Sequence, residues 1–285
     1  MITNFCVTCY GLSASRWASF VLASDPRVFI AHGTYALDSI VNGSFNAELI
    51  INENNNLDAL KRGRELHTWI KQASLKALYA RYREIYPDAE VYGNIHSFVP
   101  TELYAKKDIN EILIMVINLI RNPICFIDCH NTIVMNAESI EELKKQYAMM
   151  YINRVLPNIE TLNALDLQRY KNAMDRAFLI SCFSVIDQAE DIIKYPIPLF
   201  RMEALTTDAE YLANFCYRVS GLTYAEATLE SFIAKGAINN HRSRQALRQP
   251  EEIWAAWAPH HRDAFNALVA RPYAKVFASV GYPLN

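Results

Sequence analysis

The sequence predicts a three-layer α/β fold, a central parallel β-sheet flanked by helices. Short apolar runs of strand length alternate with longer stretches of helical period, the order that a parallel sheet with helical crossovers requires. The most apolar run, "ILIMVINLI" from Ile112 to Ile120, is rich in β-branched residues and does not alternate. Such a run suits a strand buried on both faces. With 285 residues, 52% hydrophobic and 20% charged, the chain is long enough for one large domain with a buried core. No stretch is long and polar enough to be an interdomain linker, so a single domain over 1–285 is expected.

Strands are predicted at Ile2 to Thr8, Val28 to His32, Glu90 to Asn94, Leu113 to Leu119 and Ile197 to Arg201. The first helix follows a glycine-serine turn and ends before "SDP". A long helix is expected over Arg62 to Ile85, closed by Pro87, with others over most of Glu138 to Asn153 and Leu162 to Lys194. "TTDAEYLANFCYRVSG" and "TYAEATLESFIAKG" each open with threonine near acidic residues and end in glycine, as capped helices do. Two more helices follow from Pro250. The Asn-rich "NGSFNAELIINENNN" reads as a surface excursion.

Composition excludes several function classes. The formal net charge is -2 and no basic block is present, which argues against nucleic acid as a partner. The start, Met1-Ile2-Thr3-Asn4, lacks the basic and apolar regions of a signal peptide. The longest apolar run falls far short of the roughly 20 residues that span a bilayer. The expectation is a cytoplasmic protein without membrane partner, its six scattered cysteines reduced. Cys6 and Cys9 form a C-x-x-C without a second pair at zinc spacing, so no metal is expected.

One stretch carries chemistry. In "VTCYGLSASRWASFVL" a strand enters Gly11, passes Ser13 and Ser15, and opens an amphipathic segment at Arg16-Trp17. A tight turn opening a helix presents backbone N–H groups and the positive end of the helix dipole, an anion site that needs no lysine. The Gly-Lys-Ser/Thr of an ATP-binding loop is absent.

This loop resembles the 5′-phosphosulfate loop of sulfotransferases that use 3′-phosphoadenosine-5′-phosphosulfate (PAPS). There a strand enters Pro-Lys/Arg-Ser-Gly-Thr-Thr-Trp and continues as a helix. The matching residues are Gly11, Leu12, Ser13, Ala14, Ser15, Arg16 and Trp17. "LASDPRV" looks like the family's Leu-x-x-His-Pro-x-Val. "LIRNPICFIDCH" is similar to the segment whose arginine, and a serine eight residues on, bind the 3′-phosphate; Arg121 and Cys129 stand at those positions. "FRMEALTTDAEYLANFCYRVSGL" resembles the Tyr-Glu-Asp-Leu block. "KGAINNH" sits where members carry Lys-Gly and Lys-Asn-His over the 3′-phosphate, which marks Lys235, Gly236, Asn240 and His241. The blocks run in the family's order from Asn4 to about Arg244.

The resemblance implies a P-loop-type fold, PAPS as donor, PAP as product, no metal, and a small-molecule acceptor. A cationic alkaloid, as in sulfated saxitoxin-type toxins, is one such acceptor. Departures bear on catalysis. Leu12 replaces the basic residue that assists the leaving 5′-phosphate, Ala14 replaces the glycine, and Arg16 replaces a threonine. Arg16 either supplies the missing cation or points to solvent. His96, in "VYGNIHSFVP", resembles the histidine of the family's Lys-Thr-His segment, the catalytic base, with Asn94 in the lysine's place. Neutral imidazole suits that role at pH 7. His32, in "VFIAHGTY", ends a strand at the same sheet edge. It lines the acceptor pocket, replaces His96 as base, or is structural. Two other readings stand beside this one: a sulfotransferase-like protein that binds nucleotide without transferring, and an ATP-dependent P-loop kinase.

Overall fold

Five apolar runs become strands: Asn4–Cys9 (β1), Val28–His32 (β2), Val91–Ile95 (β5), Met115–Ile120 (β6) and Leu199–Arg201 (β7). Ile40–Val41 (β3) and Ser44–Phe45 (β4) form a separate antiparallel pair. The structure, a computed structural model, describes residues 3–11, 13–33, 40–41, 44–45, 68–136, 149, 153, 172–236 and 248–284. The expected Asn-rich excursion and the expected helix over Glu138 to Asn153 lie almost wholly outside the described residues.

The five strands form one sheet in the order β2-β5-β1-β6-β7, and every pairing is parallel. The direction of winding reverses at β1. The chain leaves β1 toward β2 on one side, and after β5 it crosses to β6 on the other. Ligands of open parallel sheets bind outside the carboxyl ends of the strands at such a switch point. The turn after β1 stands there.

Chain alternation along the strands sorts the core into two layers. Phe5, Val7 and Cys9 of β1 pack with the helices Ser15–Leu22 (α1), Ala209–Ser220 and Glu226–Lys235, through Trp17, Val21, Phe215, Val219 and Leu229. Cys6 of β1, with Phe29 and Tyr92, packs on the opposite side against Leu75, Leu78, Tyr79 and Tyr82 of Leu75–Ile85 (α2). Sheet and two helical layers are the three layers expected. Cys6 and Cys9 face opposite layers, so they cannot share a ligand. All six cysteines are free thiols.

The chain divides into two compact units, Met1–Ile120 with Ile197–Ser243, and Arg121–Pro196 with Arg244–Asn285. In the first, the predicted long helix over Arg62 to Ile85 is broken. Residues 68–72 are helical, and α2 starts afresh at Leu75. Ser74 causes the break: its extended backbone and its hydroxyl, accepting from the Ala77 N–H at 3.2 Å, make it an N-cap. The expected threonine caps are also displaced. The turn Pro100–Tyr104 is α3; after the sheet's last strand a short helix, Met202–Leu205, takes Thr206 as its C-cap. Asp208 then caps Ala209–Ser220 by accepting from the Tyr211 N–H, and Gly221 ends that helix at φ 73°.

The second unit is helical. Pro123–Asn136 (α4) lies along Ala173–Lys194 (α5). With the first-unit helices Met202–Leu205, Ala209–Ser220 and Glu226–Lys235 counted as α6, α7 and α8, the C-terminal segments are Pro250–Ala256 (α9), Pro259–Phe265 (α10) and Arg271–Ser279 (α11). The wider turn Asn266–Ala270 joins α10 to α11, so two helical runs follow Pro250, as expected. Trp254, Trp257 and Phe265 pack ring on ring, and Phe178 of α5 meets Trp257 edge-on.

Candidate phosphate-loop site

The turn after β1 is held in shape by its own backbone. Gly11 has φ 83°, a left-handed conformation that glycine adopts without steric cost. Ser13 donates its hydroxyl hydrogen back to the Gly11 carbonyl at 2.9 Å. Ala14 then takes φ 55° and stands as N-cap of α1 with no side-chain cap bond. A methyl-bearing residue in that conformation costs roughly 1 kcal/mol or more, and such outliers gather at functional sites. The sequence offered alanine where the resemblance has glycine; the backbone is left-handed all the same.

Beside the loop stands His96, itself at φ 66°. Its backbone N–H bonds to the Val7 carbonyl at 3.1 Å, so it sits at the end of β5 next to β1. Gly33, just past β2, fits against it closely: a Cβ there would lie 2.8 Å from the His96 carbonyl oxygen and 2.9 Å from Ser97 Cα. The His96 imidazole lies over the loop, with Cε1 and Nε2 each 3.6 Å from where a Gly11 Cβ would be.

Ser15, the first residue of α1, joins the two predicted histidines. Its Oγ is 2.8 Å from His96 Nδ1 and 3.2 Å from His32 Nε2. The two rings are 5.0 Å apart between centroids. Ser15 and His32 are buried, at 4% and 3% exposure. A serine hydroxyl has one hydrogen and two lone pairs, so it donates to at most one of the two rings. The two rings meet at one oxygen.

The remaining loop residues have distinct surroundings. Arg16 is half-buried. Trp17 is fully buried in the α1 layer, edge-on to Phe232 at 6.4 Å. Burial pushes the Cys9 thiol up to about 11, so it stays protonated. Asn94 does not reach the loop. It is fully buried on the α2 side of β5 and donates to Tyr82 Oη at 2.7 Å.

No family model matches the chain, and no curated protein matches it. Two solved structures align with it. One is the sulfotransferase domain of the Synechococcus PCC 7002 olefin synthase, 13% identical, with TM-score 0.49 over 100% of this chain and 96% of that one. The other is the sulfotransferase domain of the curacin biosynthetic pathway, 12% identical, with TM-score 0.41 over 100% and 99%.

Residues predicted for the nucleotide's far end are divided between the units. Arg121 opens the second unit and is 6% exposed. Its neighbour Asn122 accepts from the Ile124 and Cys125 N–H groups, at 2.9 and 3.3 Å, and so caps α4. Cys129 is half-buried on α4. Lys235 is an exposed residue at the end of α8, and Gly236 stops that helix at φ 73°. Leu12, Asn240 and His241 lie outside the described residues. Among the described residues no helix is long and apolar enough to cross a membrane. Gly33 escaped the sequence reading, although a glycine directly after a strand-ending histidine signals close backbone approach.

Proposed function

We propose that the chain is a sulfotransferase that moves a sulfuryl group from PAPS to a hydroxyl or amine of a small molecule. The observation that carries this reading is the Ser15 hydroxyl set between His96 and His32 at the carboxyl end of the central strand. Beside it, a glycine-opened turn leads into a helix without a side-chain cap. Anion-binding backbone and a titratable pair meet at the switch point of one sheet.

In this reading the turn and the start of α1 bind the 5′-phosphosulfate through backbone N–H groups and the helix dipole. The acceptor's oxygen or nitrogen attacks sulfur in line. A bond from the acceptor to sulfur forms as the bond from sulfur to the 5′-phosphate oxygen breaks, and its electron pair leaves with PAP. Arg16 and the loop amides stabilise that charge, as in phosphoryl transfer, where positioning and electrostatics dominate. The acceptor's proton passes to His96 Nε2, the nitrogen over Gly11. Nε2 accepts it only while the ring's own hydrogen is on Nδ1. His96 then donates to Ser15, and Ser15 donates to His32 Nε2. His32 thus selects the His96 tautomer through Ser15, as the partner of a catalytic histidine does.

Turnover of PAPS with a panel of alcohols, amines and a cationic guanidinium alkaloid tests the reading. Thermal shifts with PAP and with ATP-Mg run beside it, since a ligand that binds only the native state raises its stability. PAP stabilisation with product formation supports it. PAP stabilisation with no transfer to any acceptor favours the nucleotide-binding protein without activity, the reading that Leu12, Cys129 and the core position of Asn94 motivate. Stabilisation by ATP-Mg alone favours a kinase.

A further inference from the structure

We propose that Asp175, His260 and His261, all in the second unit, form a binding site for one divalent transition-metal ion of the zinc class. Both imidazoles aim the same atom at one carboxylate oxygen: Nε2 of His260 is 2.9 Å and Nε2 of His261 is 2.8 Å from Asp175 Oδ1. The three donor atoms lie within 4.8 Å of one another. Around a tetrahedral zinc with bonds of about 2.0–2.1 Å, neighbouring donors stand about 3.3 Å apart. Each of the two Nε2–Oδ1 separations needs to open by only about half an ångström to reach that spacing.

The ligands are held before any ion arrives. Asp175 lies in the first turn of α5, where its N–H donates to the Asn172 cap at 2.8 Å. The His261 ring stacks on Phe178, with centroids 4.2 Å apart and planes 5° from parallel. Phe178 is braced edge-on by Trp257. Pro259 opens α10 and fixes the backbone just before both histidines. The side chains of Asp175 and His261 are 5% and 9% exposed, whereas that of His260 is 26% exposed. The ion therefore has an entry on the His260 side, and solvent reaches a fourth position there. Three protein ligands with one open position is a frequent zinc arrangement, and imidazole donors select zinc, cobalt or nickel over magnesium or calcium.

Both imidazoles direct Nε2 at Asp175 Oδ1. Both rings carry their hydrogen on Nε2 in the present arrangement. On metal binding the lone pair of each Nε2 goes to the ion, and the ring carries its hydrogen on Nδ1. Bound there, the ion ties the start of α10 to the start of α5. The inference does not rest on the sulfuryl-transfer reading.

The test uses the full chain after dialysis against a chelator. Zinc is titrated calorimetrically, zinc content is measured by mass spectrometry, and cobalt is added separately for its ligand-field absorption. One zinc per chain, a raised melting temperature and a tetrahedral cobalt spectrum are expected. His260→Ala, at the most exposed ligand, should weaken zinc binding at least about 100-fold; Asp175→Asn should act likewise. The His32→Ala/His96→Ala double variant should still bind one zinc. Absence of binding at about tenfold zinc excess, or unchanged affinity in His260→Ala, overturns the proposal. So does loss of the zinc in the His32/His96 double variant. Should Asp175→Asn fail to fold, His260→Gln decides by the same titration.

Discussion

Ser15 Oγ lies 2.8 Å from His96 Nδ1, and the same oxygen lies 3.2 Å from His32 Nε2. A helix start thereby touches the ends of two different strands through one hydroxyl. Replacing His96 by alanine should leave PAP binding nearly intact and reduce transfer about 100-fold or more, the weight of a general base. The acidic limb of the rate profile should disappear with it. His32→Ala and Ser15→Ala should reduce transfer less, roughly 10-fold, while keeping the acidic limb, since they act on the His96 tautomer. An inactive His32 variant beside an active His96 variant would reverse the assignment of base.

Arg16 should carry the charge that Leu12 cannot. It is half-buried at the start of α1, the turn that binds the 5′-phosphosulfate in the proposed reading. Arg16→Ala is expected to lower the transfer rate by about 10²-fold with no change in thermal stability beyond about 0.5 kcal/mol. Turnover equal to wild type would make Arg16 a solvent residue.

Arg121 should hold the 3′-phosphate, because guanidinium matches phosphate in fork geometry and Asn122 fixes the helix start beside it. Calorimetry with two nucleotides reads this directly. Arg121→Ala should weaken PAP far more than adenosine 5′-phosphosulfate, which lacks the 3′-phosphate. Equal losses would remove Arg121 from that role.

Much of the fold was legible because periodicity is a local property. β2 carries the predicted bounds, Val28 to His32, since five residues of strand character stand between Pro26-Arg27 and Gly33. Trp17, Ala18, Val21 and Leu22 spell the buried face of α1 at helical spacing. Caps were less legible. Ser74 breaks a continuous helical pattern, and Asp208 rather than a threonine opens α7, because several polar residues in a row can each make the cap bond. The site divides in the same way. Its residue types were visible one by one, but the bonds from Ser15 to His32 and His96 span 17 and 81 positions, and no local pattern encodes them. Asn94 shows the converse: a motif position at a strand end turned out to face Tyr82 on the core side, since alternate residues of a strand face opposite ways.

Gly33 should matter for both stability and chemistry. An alanine Cβ would meet the His96 carbonyl and Ser97 Oγ at 2.8 Å, and the backbone atom cannot step aside alone. Gly33→Ala is expected to destabilise by about 1–3 kcal/mol, as overpacking does, and to lower the transfer rate more than PAP affinity. Ala14→Gly makes the contrast. Relief of the left-handed alanine, worth about 1 kcal/mol, is offset by loss of a buried methyl worth about 0.8 kcal/mol. Its melting temperature should stay near wild type. A large loss of stability in Ala14→Gly, or none in Gly33→Ala, would contradict this account of the loop.

His130 should make stability depend on pH. Its ring stacks on Phe126, with centroids 5.4 Å apart, and its Nδ1 is 2.9 Å from Ser181 Oγ. Ser181 gives its one hydrogen to the Ala177 carbonyl, so His130 is the donor and carries its hydrogen on Nδ1. Burial pushes the imidazole down from 6.5 to about 4. Between those values the unfolded chain binds a proton that the native ring refuses, so stability falls as pH falls through the window and is constant above it. One unit is worth about 1.4 kcal/mol, which sets the loss at about 3.5 kcal/mol at most. Urea midpoints of the wild type and of His130→Asn, whose amide retains a donor at the Nδ1 position, measure it. The variant should start less stable at pH 7 and lose less on acidification, so the two curves converge toward pH 4. Curves that stay parallel from pH 7 to 4 would show that His130 takes up its proton in the native state as readily as in the unfolded one.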